Sequence, residues 1–443
     1  MIHSKSRIMY RRLALSIFLI LSPTMLYAQE TNLKQKAIKE FKDGHYTEAI
    51  SHLKKAALVT PDDAEVYYYL GRFSHYLCYD VGPRKYDEEK SNEIIRYLDK
   101  AVLLDPHLGN AYYYIGVEYG MRGHFAMIEG NIKKAKKEFR IGGEKGGYPD
   151  WLLEYARNML RSCARNAILF TGGDAEANSA WYLQLVENYR ADISVIPIGL
   201  LNFSPFVLYA KKGLDDLLVG VPISKTDEQI RNAQILRWKP QKIKIPISEI
   251  ALNRFKIPGK ITVMEWELKP DIIRDSIGFL MPGTAYIVDI VKTNKWARPI
   301  YFTVGSPPKQ RAGLNSHLQL CGLTYRLLPV KAEKYGMSIN AAKIESILLN
   351  PESYTHFKDV KEHNMPRVSF ILNNYRGILM RLAGFYLGKG DKKKAREILN
   401  YMQEYMPENA LPMPPPIKKM MKEILDKIMN NDYNKNIKGE NQL

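Results

Sequence analysis

At 443 residues, with 46% hydrophobic and 25% charged side chains, the chain has the make-up of a globular protein of two or three domains, able to form its cores without disulfides or metals. A formal net charge of +18 suits an anionic surface or an acidic partner, yet no helix-turn-helix, zinc-finger or aromatic-basic signature accompanies it, so no nucleic-acid partner is expected. Three cysteines, Cys78, Cys163 and Cys321, match no metal or redox spacing; they read as buried thiols, with a Cys163–Cys321 bridge as the alternative.

Residues 1–28 read as an export signal. Lys5, Arg7, Arg11 and Arg12 precede an apolar part formed by Leu13 to Leu21 and Met25-Leu26-Tyr27-Ala28, with Pro23 near its end, and Ala28-Gln29 is a cleavage point. The apolar stretch is about 16 residues, short for a span, and a retained anchor is the rival reading. No cysteine follows Ala28, which argues against a lipid anchor of the usual bacterial type. The expected location is therefore the periplasm or the envelope.

Residues 29–162 carry a repeating pattern. Ala37, Gly44, Tyr46, Ala49, Leu53, Ala56 and Pro61 fall at the spacing of a tetratricopeptide repeat, a helical hairpin of about 34 residues. A second copy shows Leu70, Gly71, Leu98, Ala101 and Pro106, with about 11 surplus residues assigned to a loop from Asp80 to Ser91. A third shows Ile115, Gly116, Tyr119, Gly130, Ala135 and Phe139, with about seven extra residues around Gly123 to Gly130. Tyr67-Tyr68-Tyr69 and Tyr112-Tyr113-Tyr114 each open a first helix. Adjacent residues point about 100° apart, so the three in a run divide between packing and exposure. Tyr67, Tyr68, Tyr112 and Tyr113 are the candidates for holding a peptide or protein partner. Trp151 to Arg161 is a last helix before the next domain.

An α/β domain is expected over 163–335. Asn166 to Thr171 is a short apolar strand stopped by Gly172-Gly173, Ala175 to Arg190 a helix, and Ile193 to Ile198 a second buried strand. Strand, turn, helix, strand is a βαβ unit, so a Rossmann-like, mostly parallel sheet is predicted. Asn202 to Lys212 reads as a helix, Ile243 to Ile247 as extended, and Lys260 to Leu268 as a half-exposed strand after a Pro258-Gly259 turn. Tyr286 to Val291 reads as a strand and Thr293 to Arg298 as a turn. Pro299 to Val304 is a further strand, Asn315 to Cys321 a short helix and Leu323 to Val330 a final strand.

Residues 336–430 form a helical domain with one more repeat at Leu382, Ala383, Tyr386, Gly390, Ala395, Leu399 and Pro407. After the prolines 412 and 414–416, Ile417 to Met429 is an amphipathic helix, and 431–443 an Asn-rich tail expected to be disordered. The predicted fold class is thus α/β plus all-α.

Ligands of open α/β sheets bind beyond the carboxyl ends of the strands. That edge carries Thr171, Gly172, Gly173, Asp174 and Glu176, then Asn202, Asp289, Asn294 and Ser306, with Lys309 and Arg311 close by. Gly172-Gly173 admits close backbone approach, and Asp174 is equally a helix N-cap. The turn lacks G-x-G-x-x-G, a P-loop lysine and a Gly-x-Ser-x-Gly elbow, and the nine histidines show no metal spacing. No catalytic residue, cofactor or metal is assigned, and the leaning is against an enzyme.

Gly172-Gly173-Asp174, Trp181-Tyr182 and Asp192 to Leu201 resemble the start of the soluble C-terminal region of bacterial envelope proteins whose N-terminal half is similar to a membrane-embedded protein O-mannosyltransferase. The likeness recurs at Ile287 to Ile290, Asn294 to Phe302 and Leu314 to Lys331, and covers roughly 163–413. Gly172 stands where that family has Asn, and Glu176 where it has a second Asp. The membrane glycosyltransferase part is replaced by the repeats, and the resemblance assigns the soluble region no reaction. The expectation is an exported scaffold or adaptor that binds a protein or peptide partner through its repeats, carrying an α/β module of unknown ligand. The alternative is a sugar or sugar-phosphate binding or processing domain linked to envelope glycosylation. Peripheral contact with a membrane is compatible with the charge.

Overall fold

The computed structural model describes residues 33–82, 85–214, 218–257 and 261–440, with the backbone alone at Ile250 and over 430–440. The expected export signal and the Pro258-Gly259 turn lie outside the described residues. The chain divides into two compact units, one ending at Glu118 and one beginning at Tyr119.

The first unit is helical: α1 (33–42), α2 (Tyr46–Val59), α3 (Ala64–His75), α4 (Glu88–Leu104) and the first half of α5 (Gly109–Ile128). Ala37, Ala49, Leu53, Ala56, Val66, Leu70 and Phe73 make one core cluster. Asp63 and Asp87 cap α3 and α4 by accepting from first-turn amides. A π-helical turn, Tyr76–Asp80, prolongs α3 up to the expected loop of Asp80 to Ser91, and the loop is shorter than expected because Asp87 caps α4 and helix begins at Glu88. The π-helical turn brings Tyr79 to the buried carboxylate of Glu118, which is also bonded to His75 Nδ1 at 2.6 Å and Ser91 Oγ at 2.5 Å.

In the second unit the surplus of the third hairpin is helix, because α5 runs on to Ile128. Next come α6 (Ile132–Glu144) and α7 (Asp150–Arg161). Strands β1 (Ile168–Thr171) and β2 (Ser194–Pro197), joined by α8 (Asp174–Leu185), pair in parallel with Leu169 opposite Val195. The chain continues through α9 (Ser204–Lys212) and an antiparallel pair, β3 (Gln241–Pro246) with β4 (Val263–Leu268). The burial of β4 alternates as its sequence does. After α10 (Pro282–Asn294) come β5 (Ile300–Thr303), β6 (Leu318–Cys321) and β7 (Thr324–Leu327). The five-stranded sheet runs β6-β7-β5-β1-β2.

Three corrections follow. The sheet is mixed: β5, β1 and β2 are parallel, whereas β6 and β7 are antiparallel neighbours. Only the Gly322-Leu323 turn, with Gly322 at φ +69°, joins β6 to β7, and so short a link cannot make a parallel crossover. Second, Leu318–Cys321 is this strand, so the expected helix from Asn315 shrinks to the 3-10 turn Leu314–His317. Third, Tyr286 to Val291 is the middle of α10. Pro282 at the first turn starts the helix, and Tyr286, Ile287, Ile290, Val291 and Asn294 are buried at helical spacing. No Cys163–Cys321 bridge forms; both thiols are free and buried, and burial raises the pKa of both, that of Cys321 to about 11.

The chain ends in helices α11 (Ala341–Leu348), α12 (Asn373–Gly388), α13 (Lys392–Tyr405) and α14 (Pro415–Glu440). Leu382, Ala383, Ala395 and Leu399 of the expected repeat are buried between α12 and its neighbours. The α14 backbone continues helical to Glu440 through the described part of the tail expected to be disordered, and no proline follows Pro416 to stop it. Among the described residues no helix is long and apolar enough to cross a membrane.

Candidate functional site

The carboxyl edge of the parallel strands holds two different environments. Between β1 and β5 it is closed. A Cβ on Gly172 would lie 2.7 Å from the Gly305 carbonyl oxygen and 2.7 Å from Ser306 Cα, so the glycine admits the loop after β5 rather than a ligand. Beneath that contact, Glu176 Oε2 accepts from Gly172 N at 2.9 Å and Thr303 Oγ1 at 2.6 Å. Burial pushes the Glu176 carboxyl up, and bonds from Thr303, Gly172 and Tyr155 partly oppose the rise. Ser306 Oγ donates to the Thr303 carbonyl at 2.6 Å and accepts from Arg311 Nε at 3.0 Å, while the Arg311 guanidinium lies 4.6 Å from the Tyr325 ring centroid. Thr171 is fully buried beside them. Thr171, Gly172, Glu176 and Ser306 are therefore brought together, but as a loop-to-loop lock.

The other expected residues are dispersed. Gly173 is the N-cap of α8 without a side-chain cap bond, and Asp174 is the first helical residue rather than the cap. Asp289, on α10, accepts from Ser224 N at 2.8 Å and Ser224 Oγ at 2.5 Å. Asn294 closes the end of α10 by bonding both backbone groups of Arg298. Asp289 and Asn294 were placed by sequence on a strand edge; the helix carries them away from it.

Beyond β2 the edge opens into a cleft of about 1070 Å³. It is bounded by the turn Ile198–Asn202, the N-terminus of α10, the β3–β4 pair and the loop after β5. Asn202 is the sequence candidate that lines it, with Lys309 noted beside the edge. Asn202 Oδ1 accepts from Gly283 N at 2.9 Å, and Asp271 accepts from Met281 N at 2.8 Å and Thr284 Oγ1 at 2.9 Å, so the first turn of α10 is satisfied by side chains. Glu265 is paired with Lys242 at 2.8 Å and Lys244 at 3.4 Å, which lowers its pKa. Lys309 and Lys331 line the same cleft with no ion pair among the described residues. Sequence reasoning missed Trp266, Asp271 and Thr284, whose contribution depends on a hairpin folding back over the strand ends.

On the helical hairpins of the first unit, Tyr67, Tyr112 and Tyr113 are half-buried, whereas Tyr68 is buried against Tyr69 and Tyr114. Among the described residues no three His, Cys, Asp or Glu side chains are grouped to hold a metal.

The profile of TMEM260-associated domain 2, a domain of unknown function related to a membrane protein family, matches residues 152–237 and 241–346. The match takes in α7, all five strands of the sheet and most of α11, which includes both the closed edge and the cleft. No curated protein matches the chain.

Proposed function

We propose that the chain is an exported envelope scaffold whose helical hairpins are tetratricopeptide repeats that bind a protein or peptide partner, with the Rossmann-like module as a second recognition domain. The carrying observation is the contrast between the two candidate surfaces. Glu176, Asp289, Asn294 and Ser306 at the sheet domain are engaged in bonds within the protein. Tyr67, Tyr112 and Tyr113 keep part of their rings at the surface. The repeat reading is supported by the burial of Ala37, Ala49, Leu53, Ala56, Leu98 and Ala101 at the small and large positions the pattern requires. The domain scheme 29–162, 163–335 and 336–430 is part of the same reading.

The test is site-specific photocrosslinking in cells. A crosslinker at position 67 or 112 is expected to give a discrete adduct, and one at the exposed Leu58 none. Tyr112→Ala/Tyr113→Ala should then lose the adduct while melting as the parent does. An adduct at Leu58 alone, or none anywhere, defeats the reading.

The open cleft supports a second reading, a small polar ligand such as a sugar or sugar phosphate held near Asn202 and Lys309. A thermal-shift screen with sugars and sugar phosphates should show stabilisation that Asn202→Ala removes; uniform silence across the screen rejects it.

A further inference from the structure

We propose that the small three-stranded sheet of residues 236–280 docks the protein on an anionic membrane surface. Leu236–Arg237, Ile277–Leu280 and Ile272–Arg274 pair antiparallel in that order. Asp275 and Ser276, both at positive φ, turn the last two strands back on each other in a two-residue hairpin. Directly opposed residues share a face, and residues two apart along a strand share it too. The register opposes Arg237 to Phe279, Phe279 to Ile272, and Ile277 to Arg274. One face therefore carries Arg237, Ile272, Arg274, Ile277 and Phe279, and alternation adds Ile235. The opposite face carries Leu236, Leu280, Gly278 and Ile273. On its middle strand Leu280 is buried and the Gly278 Cα is covered by Pro270 and the Trp238 carbonyl, so this side is turned to the protein there, while Leu236 and Ile273 on the outer strands stay exposed.

The outward face is aliphatic and cationic. Ile235 is 53% exposed, and Ile272 and Ile277 are exposed as well. Large exposed aliphatic side chains gathered on one small sheet mark an interaction surface. Arg237 and Arg274 form no ion pair among the described residues and flank the isoleucines. Around the sheet, the segment 229–248 adds Arg231 and Lys239, the Glu265-paired Lys242 and Lys244, and Trp238, with no aspartate or glutamate, against the single acid Asp275 at the hairpin tip. Aliphatic side chains that enter the acyl boundary, guanidinium groups beside them at headgroup height and a neighbouring tryptophan are the recognition chemistry of an anionic bilayer surface. An acidic, apolar protein patch is the competing occupant, and it would leave vesicles untouched. This inference uses none of the tyrosines or cleft residues on which the proposed function rests.

The experiment is co-sedimentation of the full chain with phosphatidylcholine vesicles with and without phosphatidylglycerol. The parent protein is expected to pellet with the anionic vesicles alone, and to be released by high salt. Arg237→Glu/Arg274→Glu and Ile235→Ser/Ile272→Ser/Ile277→Ser should each weaken binding by about tenfold or more. Lys133→Glu/Lys419→Glu, the same charge change at exposed positions elsewhere, should hold within about twofold. All positions are exposed, and thermal melts of each variant check the fold. A parent protein that stays in the supernatant overturns the proposal. So does binding that survives both sheet variants, as an N-terminal anchor would give, or binding lost equally in the control.

Discussion

Two glycines in sequence have opposite environments, and that contrast is a test of what the turn after β1 is for. Gly172 faces the backbone of Gly305 and Ser306 at 2.7 Å, which cannot yield as a side-chain end could, whereas nothing lies within 4 Å of a Cβ on Gly173. Gly172→Ala should therefore cost about 1–3 kcal/mol by overpacking. Gly173→Ser should be neutral or slightly stabilising, since the N-cap position gains a hydroxyl acceptor and its backbone is extended. Urea denaturation of the two variants reads the difference, and equal losses would contradict the loop-to-loop lock. A second residue, Glu154 on α7, is buried and accepts from His356 N with both oxygens, at 3.1 and 3.3 Å. Burial raises its pKa from 4.5 to about 7. The folded state thus keeps a proton that the unfolded chain has released, and stability falls as pH rises from about 4.5 to about 7. Glu154→Gln removes that loss: it should match the parent near pH 4.5 and exceed it above pH 7 by on the order of 2 kcal/mol, allowing for partial screening. Denaturation midpoints at acid and alkaline pH, compared between the two proteins, decide it.

Elements were legible where their period and punctuation agreed. β1, α8 and β2 could be placed because Gly172-Gly173 and the apolar runs on either side signal the same boundaries. Tyr286 to Val291 was misread because five apolar residues around Asp289 fit a strand or a helix equally well, and the evidence for the helix lay outside the run, in Pro282 and in Asn294. That error displaced Asp289 and Asn294 from the site expected of them. The cleft was illegible for a different reason: its walls come from four elements separated by long stretches of chain, and no local pattern encodes their meeting. The clamp at the opposite, amino edge of the sheet is equally non-local. Arg298 donates to the carbonyls of Asn166, Gly220 and Ala167 and to Ser194 Oγ, between 2.7 and 3.0 Å, and its burial lowers its pKa to about 10. One guanidinium therefore joins the starts of β1 and β2 to the strand Leu218–Val219 beside them. Arg298→Ala should cost about 3 kcal/mol, because several acceptors lose their donor at once. Arg298→Lys should recover little of this, since one ammonium cannot reach three directions. Unfolding curves showing Lys close to the parent would mean that charge, not the fork, is what the site needs.

At the scale of the whole molecule, the unequal distribution of one residue type makes the two compact units separately observable. All five tryptophans, Trp151, Trp181, Trp238, Trp266 and Trp296, lie in the unit that begins at Tyr119. Helical ellipticity comes from both. Gly71, in the first unit, packs against Leu98, and a Cβ there would lie 2.6 Å from that side chain. Gly71→Val should destabilise this unit by about 1–3 kcal/mol, because the α3–α4 crossing must open to admit it. The expected result is a split melt: ellipticity at 222 nm is lost in an earlier phase in the variant, while the midpoint followed by tryptophan fluorescence stays with the parent. The unit boundary falls inside α5, a single uninterrupted helix, and this is what gives the experiment its force. If the continuous helix transmits the loss, the tryptophan midpoint moves with the ellipticity, and the two units unfold as one cooperative body.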